Sequence, residues 1–401
     1  MKRKTWKKEG RALAGLLGLL VSLSVCVWGL WTPLPVLAGD AEKETGQAKE
    51  TEEEEILSQF DFDEIDASLK ELFPEERLEF RSVLEDVLSG DLTLTAELFN
   101  QLIADQFTYA VRTGKDQLVH MLMIALIAAV FSNFSKVFQS RQLSEISFYA
   151  LYLLMIALAL NTFSAVTKWV ESGIETLTSF MGVFCPLYFA AVAVAKGSVT
   201  AVAFYQLVLF LIYLVELLIS SILLPAIHIY MLVRVLNDLS LEGYLTKFAE
   251  LIELCVSWSL KTLLACVVGI NVIQGMISPA IDSVKRSILT RGAEAIPGVG
   301  DALGGMAEVA VGTAVLVKNG IGMTGALICV SLCLVPLIQV ACVALLYKLA
   351  AAVIQPVSDP RITGCVETVG EGVRLLMRVV FTTGVLFLLT VAVVSAVTSS
   401  T

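Results

Sequence analysis

The sequence is poor in charge, in histidine and in any motif that fixes a reactive group. Only 16% of its 401 residues are charged, too few to coat a water-soluble chain of that length. The two histidines, His120 and His228, stand far apart, which disfavours a histidine-based metal or catalytic site within one chain. The eight cysteines (26, 185, 255, 266, 329, 333, 342 and 365) lie in or beside apolar runs, form no C-x-x-C pair, and read as small buried hydrophobes. There is no G-x-x-x-x-G-K-[ST], so no nucleotide phosphate loop, and no H-E-x-x-H, so no zincin-type hydrolase. Nothing in the chain calls for a cofactor, a metal or a nucleic acid.

What is present is apolar. Hydrophobic residues make up 56% of the chain and the mean hydropathy is +0.79, the composition of an all-α, polytopic helical membrane protein. The formal charge of -10 is unevenly spread: residues 39–117 hold 22 acids and 7 bases, and the rest holds 16 acids and 21 bases. The N-terminus accounts for this split. Lys2, Arg3, Lys4, Lys7, Lys8 and Arg11 precede an apolar run from Ala12 to Leu30, then Pro33, Pro35 and Val36-Leu37-Ala38. This is a signal peptide, 1–38, with cleavage expected after Ala38; an uncleaved anchor gives the same topology. Residues 39–117 are then exported: an acidic leader over 39–55, too polar to fold, and a small helical region over 56–117 with apolar residues at helical spacing (Leu69, Leu72, Phe73; Val83, Leu84, Val87, Leu88).

Over 118–401 the apolar runs predict about seven spans, near 118–135, 146–166, 178–195, 199–222, 252–276, 321–345 and 374–397, each close to the 20 residues a hydrocarbon core requires. With 39–117 outside, Lys136, Arg141, Lys196, Lys285, Arg286 and Arg291 fall in cytoplasmic connections, as the positive-inside rule asks. The external connections carry Glu171 and Glu175, then Asp238, Glu242 and Glu250, then Asp359, Glu367 and Glu371, diluted by Arg234, Lys247 and Arg361. The run from Val199 to Leu236 exceeds one untilted span and contains Pro225, which predicts a kink or a second, interfacial helix. Asp238, Gly243 and Glu250 recur as Asp359, Gly364 and Glu371 at a constant offset of 121 residues, the pattern of a parallel duplication or of chance.

One residue stands out inside the spans. Glu216, flanked by "LIYLV" and "LLIS", costs about 2.5 to 3.5 kcal/mol to insert unless it faces protein or water. Lys261 in the next span is its natural counter-charge, so the pair is a pore or coupling candidate, with a structural ion pair or a protonated carboxyl as the plainer account. Gln206, Asn271, Gln274 and Gln339 fit the same polar seam or simple interhelical hydrogen bonding. Lys196, Arg234 and Lys348 lie near span ends and can snorkel.

The most distinctive stretch is "AIPGVGDALGGMAEVAVGTAVLVKNGIG" at 295–322. Pro297 and Gly298 make a flexible entry, Gly300 and Gly304 have small-x-x-x-small spacing, and Gly305, Asp301, Glu308 and Lys318 interrupt an otherwise apolar helical pattern. It reads as an amphipathic or re-entrant helix over 294–320, an eighth span if it crosses.

With this stretch following a signal, an acidic helical region and several spans, the whole chain resembles the stage III sporulation protein AE family of endospore formers. That resemblance implies a non-enzymatic membrane subunit of a channel or secretion complex between mother cell and forespore. It implies residence in the mother-cell membrane around the forespore and a need for the protein in late forespore development. The implied partners are the other subunits of that complex and a separate ATPase. The multi-span domain is then either the conduit or the platform on which the complex assembles. The alternative from the residues alone is a secondary transporter using Glu216 and Lys261; an intramembrane enzyme ranks below both.

Overall fold

The computed structural model describes residue 57, residues 62–72 and 79–89, scattered positions between 103 and 127, and the backbone over 141–196, 200–239, 243–293, 300–356 and 358–399. The signal segment with Ala38, the leader 39–55, most of 118–135, and Pro297 and Gly298 lie outside the described residues. Every element among those described is helical. α1 (Asp63–Leu72) and α2 (Phe80–Ser89) are short and amphipathic. The long helices are α3 (Arg141–Lys196), α4 (Thr200–Leu218), α5 (Leu224–Leu239), α6 (Thr246–Ala293), α7 (Gly300–Ile354) and α8 (Pro360–Ser399). Five stretches are long and apolar enough to cross a membrane: Tyr149–Ala195, Gln206–Leu239, Thr246–Ile270, Gly312–Ile354 and Pro360–Ala392.

Two expectations about the spans change. The segments 146–166 and 178–195, read as separate spans, are one helix of 56 residues. The stretch between them carries Lys168, Glu171 and Glu175 but no proline, and Val170, Ile174 and Leu177 continue the buried stripe, so nothing ends the helix there. Its single glycine, Gly173, serves close packing: a Cβ there would lie 2.8 Å from the Pro336 ring of α7. Glu171 and Glu175 therefore stand on a helix, not in an external loop. From Gly300 the distinctive stretch likewise runs without a break into the span expected at 321–345, as one helix of 55 residues.

The run 199–239 does bend, and proline is the cause. Pro225 has no N–H for the carbonyl one turn back and its ring crowds that position. The chain absorbs this with a π-helical turn over Ile219–Leu223, in which the Leu224 N–H bonds the Ile219 carbonyl, before α5 resumes.

The helical region and the connections lie at different levels. α3 and α7 run antiparallel, with Gly173 against Pro336 and Gly325 against the Phe184 ring. α1 and α2 dock where these two helices meet. Phe62 stacks on Phe80 at 5.8 Å, Phe80 meets Phe184 at 6.3 Å, and Leu84 and Leu88 cover Gly320. The connections that follow α5 and α7 belong to the other end, where the Tyr152 hydroxyl bonds the Val235 carbonyl at 3.2 Å. From Tyr152 to Phe184 α3 rises about 48 Å. α1 and α2 and the Asp238 and Asp359 connections thus sit at well-separated levels of the bundle, although the sequence places them on one external side. Arg141 and Lys196, both expected inside, are the two ends of a single helix.

Candidate functional site

The site grows from the two turns at that far end. In the first, the buried Asn237 accepts hydrogen bonds at Oδ1 from the Leu245 N–H (2.9 Å) and the Thr246 hydroxyl (3.2 Å). Gly243, at φ 63°, supplies the left-handed residue that lets α6 start back along α5. In the second, Asp359 caps α8 by accepting at Oδ1 from the Arg361 N–H at 2.9 Å, and Pro360 opens the helix, where its missing N–H is harmless.

With both turns at one level, the last turns of α5 face the first turns of α8. The Thr368 hydroxyl donates to Asp238 Oδ2 at 2.5 Å. Gly364 lies beside that carboxylate, and a Cβ there would be in ordinary contact, 3.4 Å from Asp238 Cγ. One turn further in, Arg234 Nη2 pairs with Glu371 Oε2 at 2.8 Å, and the Tyr230 hydroxyl donates to the same oxygen at 3.3 Å. The Arg234 and Glu371 side chains keep 24% and 30% of their exposure. Deeper still, Arg378 Nη1 reaches Glu253 at 3.8 Å and Ser257 at 3.5 Å, which brings α6 into the same seam. Glu371, Arg374 and Arg378 fall at i, i+3 and i+7, so α8 presents one charged stripe to its neighbours. Nε of Arg234 and of Arg374 is buried with no acceptor among the described residues.

Chemically this is a compensated cluster of arginines and carboxylates that cross-links α5, α6 and α8. Among the described residues no group of three His, Cys, Asp or Glu is placed to hold a metal.

The repeated triads are treated unequally. Asp238, Gly364 and Glu371 enter the cluster, whereas Glu250 makes an exposed pair with Lys247 at 2.8 Å and Asp359 is a helix cap. Gly243 lies in a turn before α6, but Gly364 is inside α8, so equal spacing does not reflect equal structure. Glu216 is half-buried on α4, and the charge that faces it is Glu175 of α3, not Lys261. Lys261 is exposed on α6, and among the described residues the two form no ion pair. Gly300, Asp301, Gly304 and Gly305 lie on the first turns of α7, and Lys318, further along it, is completely buried close to where Leu84 and Leu88 dock.

Sequence reasoning missed Tyr230, Glu253, Thr368, Arg374 and Arg378, and read Arg234 as a snorkelling end residue. The signal was there: a stripe of three charges in an otherwise apolar helix faces protein, because lipid does not compensate it.

These features define a polytopic helical membrane protein held together at one end by interhelical ion pairs, with an acidic helical unit at the other. The Stage III sporulation protein AE family matches residues 78–398, and the chain belongs to that family; its role is in sporulation. It is similar to Stage III sporulation protein AE of Bacillus subtilis (strain 168), with 23% identity over 386 residues that cover 92% of this chain and 96% of that protein. No solved structure matches the chain.

Proposed function

We propose that this protein is a non-enzymatic membrane subunit of the channel complex that joins mother cell and forespore, seated in the mother-cell membrane around the forespore. The observation that carries this reading is the family match, which runs from α2 through the whole bundle. The architecture is consistent with it. α2 buries Phe80, Val83 and Leu84, while Arg81, Ser82 and Glu85 remain exposed. On α1, Asp63 and Glu64 are exposed as well. A charged surface is therefore held on a fixed base, available to partner subunits in the space between the two membranes. The chain carries no nucleotide loop, and in this reading energy for transport comes from a separate ATPase subunit or an ion gradient.

Deletion of the gene is expected to leave engulfment complete and to block late forespore gene expression. Normal spore yield in the deletion strain overturns the proposal. Pull-down of the tagged protein from sporulating cells is expected to recover the ATPase and the other subunits. Secondary transport through a Glu216 and Lys261 couple loses its support, because these side chains do not meet.

A further inference from the structure

Of the five apolar stretches, that of α6 is the least covered: 22% of its most apolar 18-residue window is buried, against 39–56% in the other four. It buries only the narrow stripe Ala249, Val256, Leu260, Leu263 and Val267. Trp258 is 70% exposed and Leu254 59%. On the uncovered side stands Lys261, with Cys255, Ser259, Thr262 and Cys266 also exposed. Hydrocarbon is a poor cover for such a face, since an ammonium at mid-span costs about 2.5 to 3.5 kcal/mol unless it meets a counter-charge or water. The small polar residues around it let another helix approach closely.

The counter-charge exists elsewhere on the same chain. Glu175 of α3 and Glu216 of α4 are electrostatic neighbours of like sign. Neither has an ion-pair partner among the described residues. The bundle thus carries two adjacent carboxylates without a cation on one surface and a cation without a carboxylate on another.

Their heights agree. Along α8, Gly372 is level with Phe163 of α3; Glu175 lies twelve residues beyond Phe163, about 18 Å, which puts it level with Gly384. Arg378 is level with its partner Glu253 of α6; Lys261 lies eight residues beyond Glu253, about 12 Å, which puts it level with residue 386. Lys261 and Glu175 therefore stand within about 3 Å of one height. Copies of one chain in one membrane are related by an axis along the membrane normal, and such an axis preserves height.

We propose that the uncovered face of α6 docks a second copy of this chain, with Lys261 of one copy between Glu175 and Glu216 of the next. The contact is stabilised by charge neutralisation in an apolar setting and by the exposed Trp258 and Leu254 beside it. It does not depend on the channel reading above.

The test uses the full-length protein reconstituted in nanodiscs and in mild detergent, with mass photometry as the readout. The wild type is expected to be oligomeric. Lys261→Glu is expected to weaken association about tenfold or more, and Lys261→Glu combined with Glu175→Lys and Glu216→Lys to restore it. In cells carrying two differently tagged copies, Lys261→Cys in one and Glu216→Cys in the other are expected to cross-link between tags. A monomeric wild type overturns the proposal, as does a Lys261→Glu variant that unfolds at the wild-type temperature and still assembles. So does the absence of a cross-link between the two tags.

Discussion

The Arg234–Glu371 pair is the most direct test of the charge cluster. At about 4 Å between charge centres and an effective dielectric of about 20, the Coulomb attraction is about 4 kcal/mol. Desolvation of both groups opposes it, and the quarter to third of each side chain still in contact with solvent screens it. A net coupling of about 1 to 2 kcal/mol remains. Removing one partner alone does more damage than losing that coupling, because the other charge is left half-buried with only Tyr230 or Asp238 nearby. Glu371→Gln and Arg234→Gln are therefore each expected to destabilise the folded protein by about 2 kcal/mol. The double variant is expected to fall short of the sum by about 1 to 2 kcal/mol. The assay is a double-mutant cycle on purified protein in mild detergent, read as loss of helical signal on titrating denaturant. Additivity within about 0.5 kcal/mol shows that the two side chains do not act as a unit, and the cluster is then no cross-link.

The remaining predictions concern the other end. Phe80→Ala removes the ring that joins Phe62 to Phe184 and is expected to cost about 3 to 5 kcal/mol of docking energy. Hydrogen exchange over 62–89 should accelerate while α3 keeps its protection, and unchanged exchange there refutes the docking. Sidedness is checked by labelling cells with a membrane-impermeant maleimide in a background lacking the exposed Cys255 and Cys266. Ser82→Cys and Tyr244→Cys, both at exposed positions, should label from opposite faces of the membrane, and labelling from the same face refutes the arrangement of the two ends.

Much of the local structure is readable from residue pattern. The spacing of Val83, Leu84, Val87 and Leu88 announces an amphipathic helix, and Pro225 announces the bend that the π-helical turn provides. A pattern on one helix does not name the surface it meets, which is why the docking of α2 on Phe184 and Gly320 stays hidden. Arg234 shows the same limit from the other side. Near the end of an apolar run, a long cation reaches headgroups or a carboxylate equally well, and only the position of Glu371 137 residues away decides which. Glu216 and Lys261 form no ion pair for a related reason: consecutive spans bring charges to similar depth, but the face each charge occupies depends on helix rotation.

The division of α3 into two segments has a cause of scale. Hydropathy divides a chain wherever charges interrupt apolar residues, while a helix ends only where its hydrogen-bond ladder is broken. Lys168, Glu171 and Glu175 interrupt the first without touching the second, so α3 continues for 56 residues, about 84 Å, against a hydrocarbon core of about 30 Å. Tyr149 near its start and Val194 near its end are both exposed, and some 45 residues of helix, about 67 Å, separate them. One bilayer covers less than half of that height. The charges at its middle therefore read as a loop between two spans, where the structure has continuous helix. Positive-inside counting reinforces that division, because Arg141 and Lys196 balance a pair of loops only if the chain between them turns back, and in the structure it is one helix.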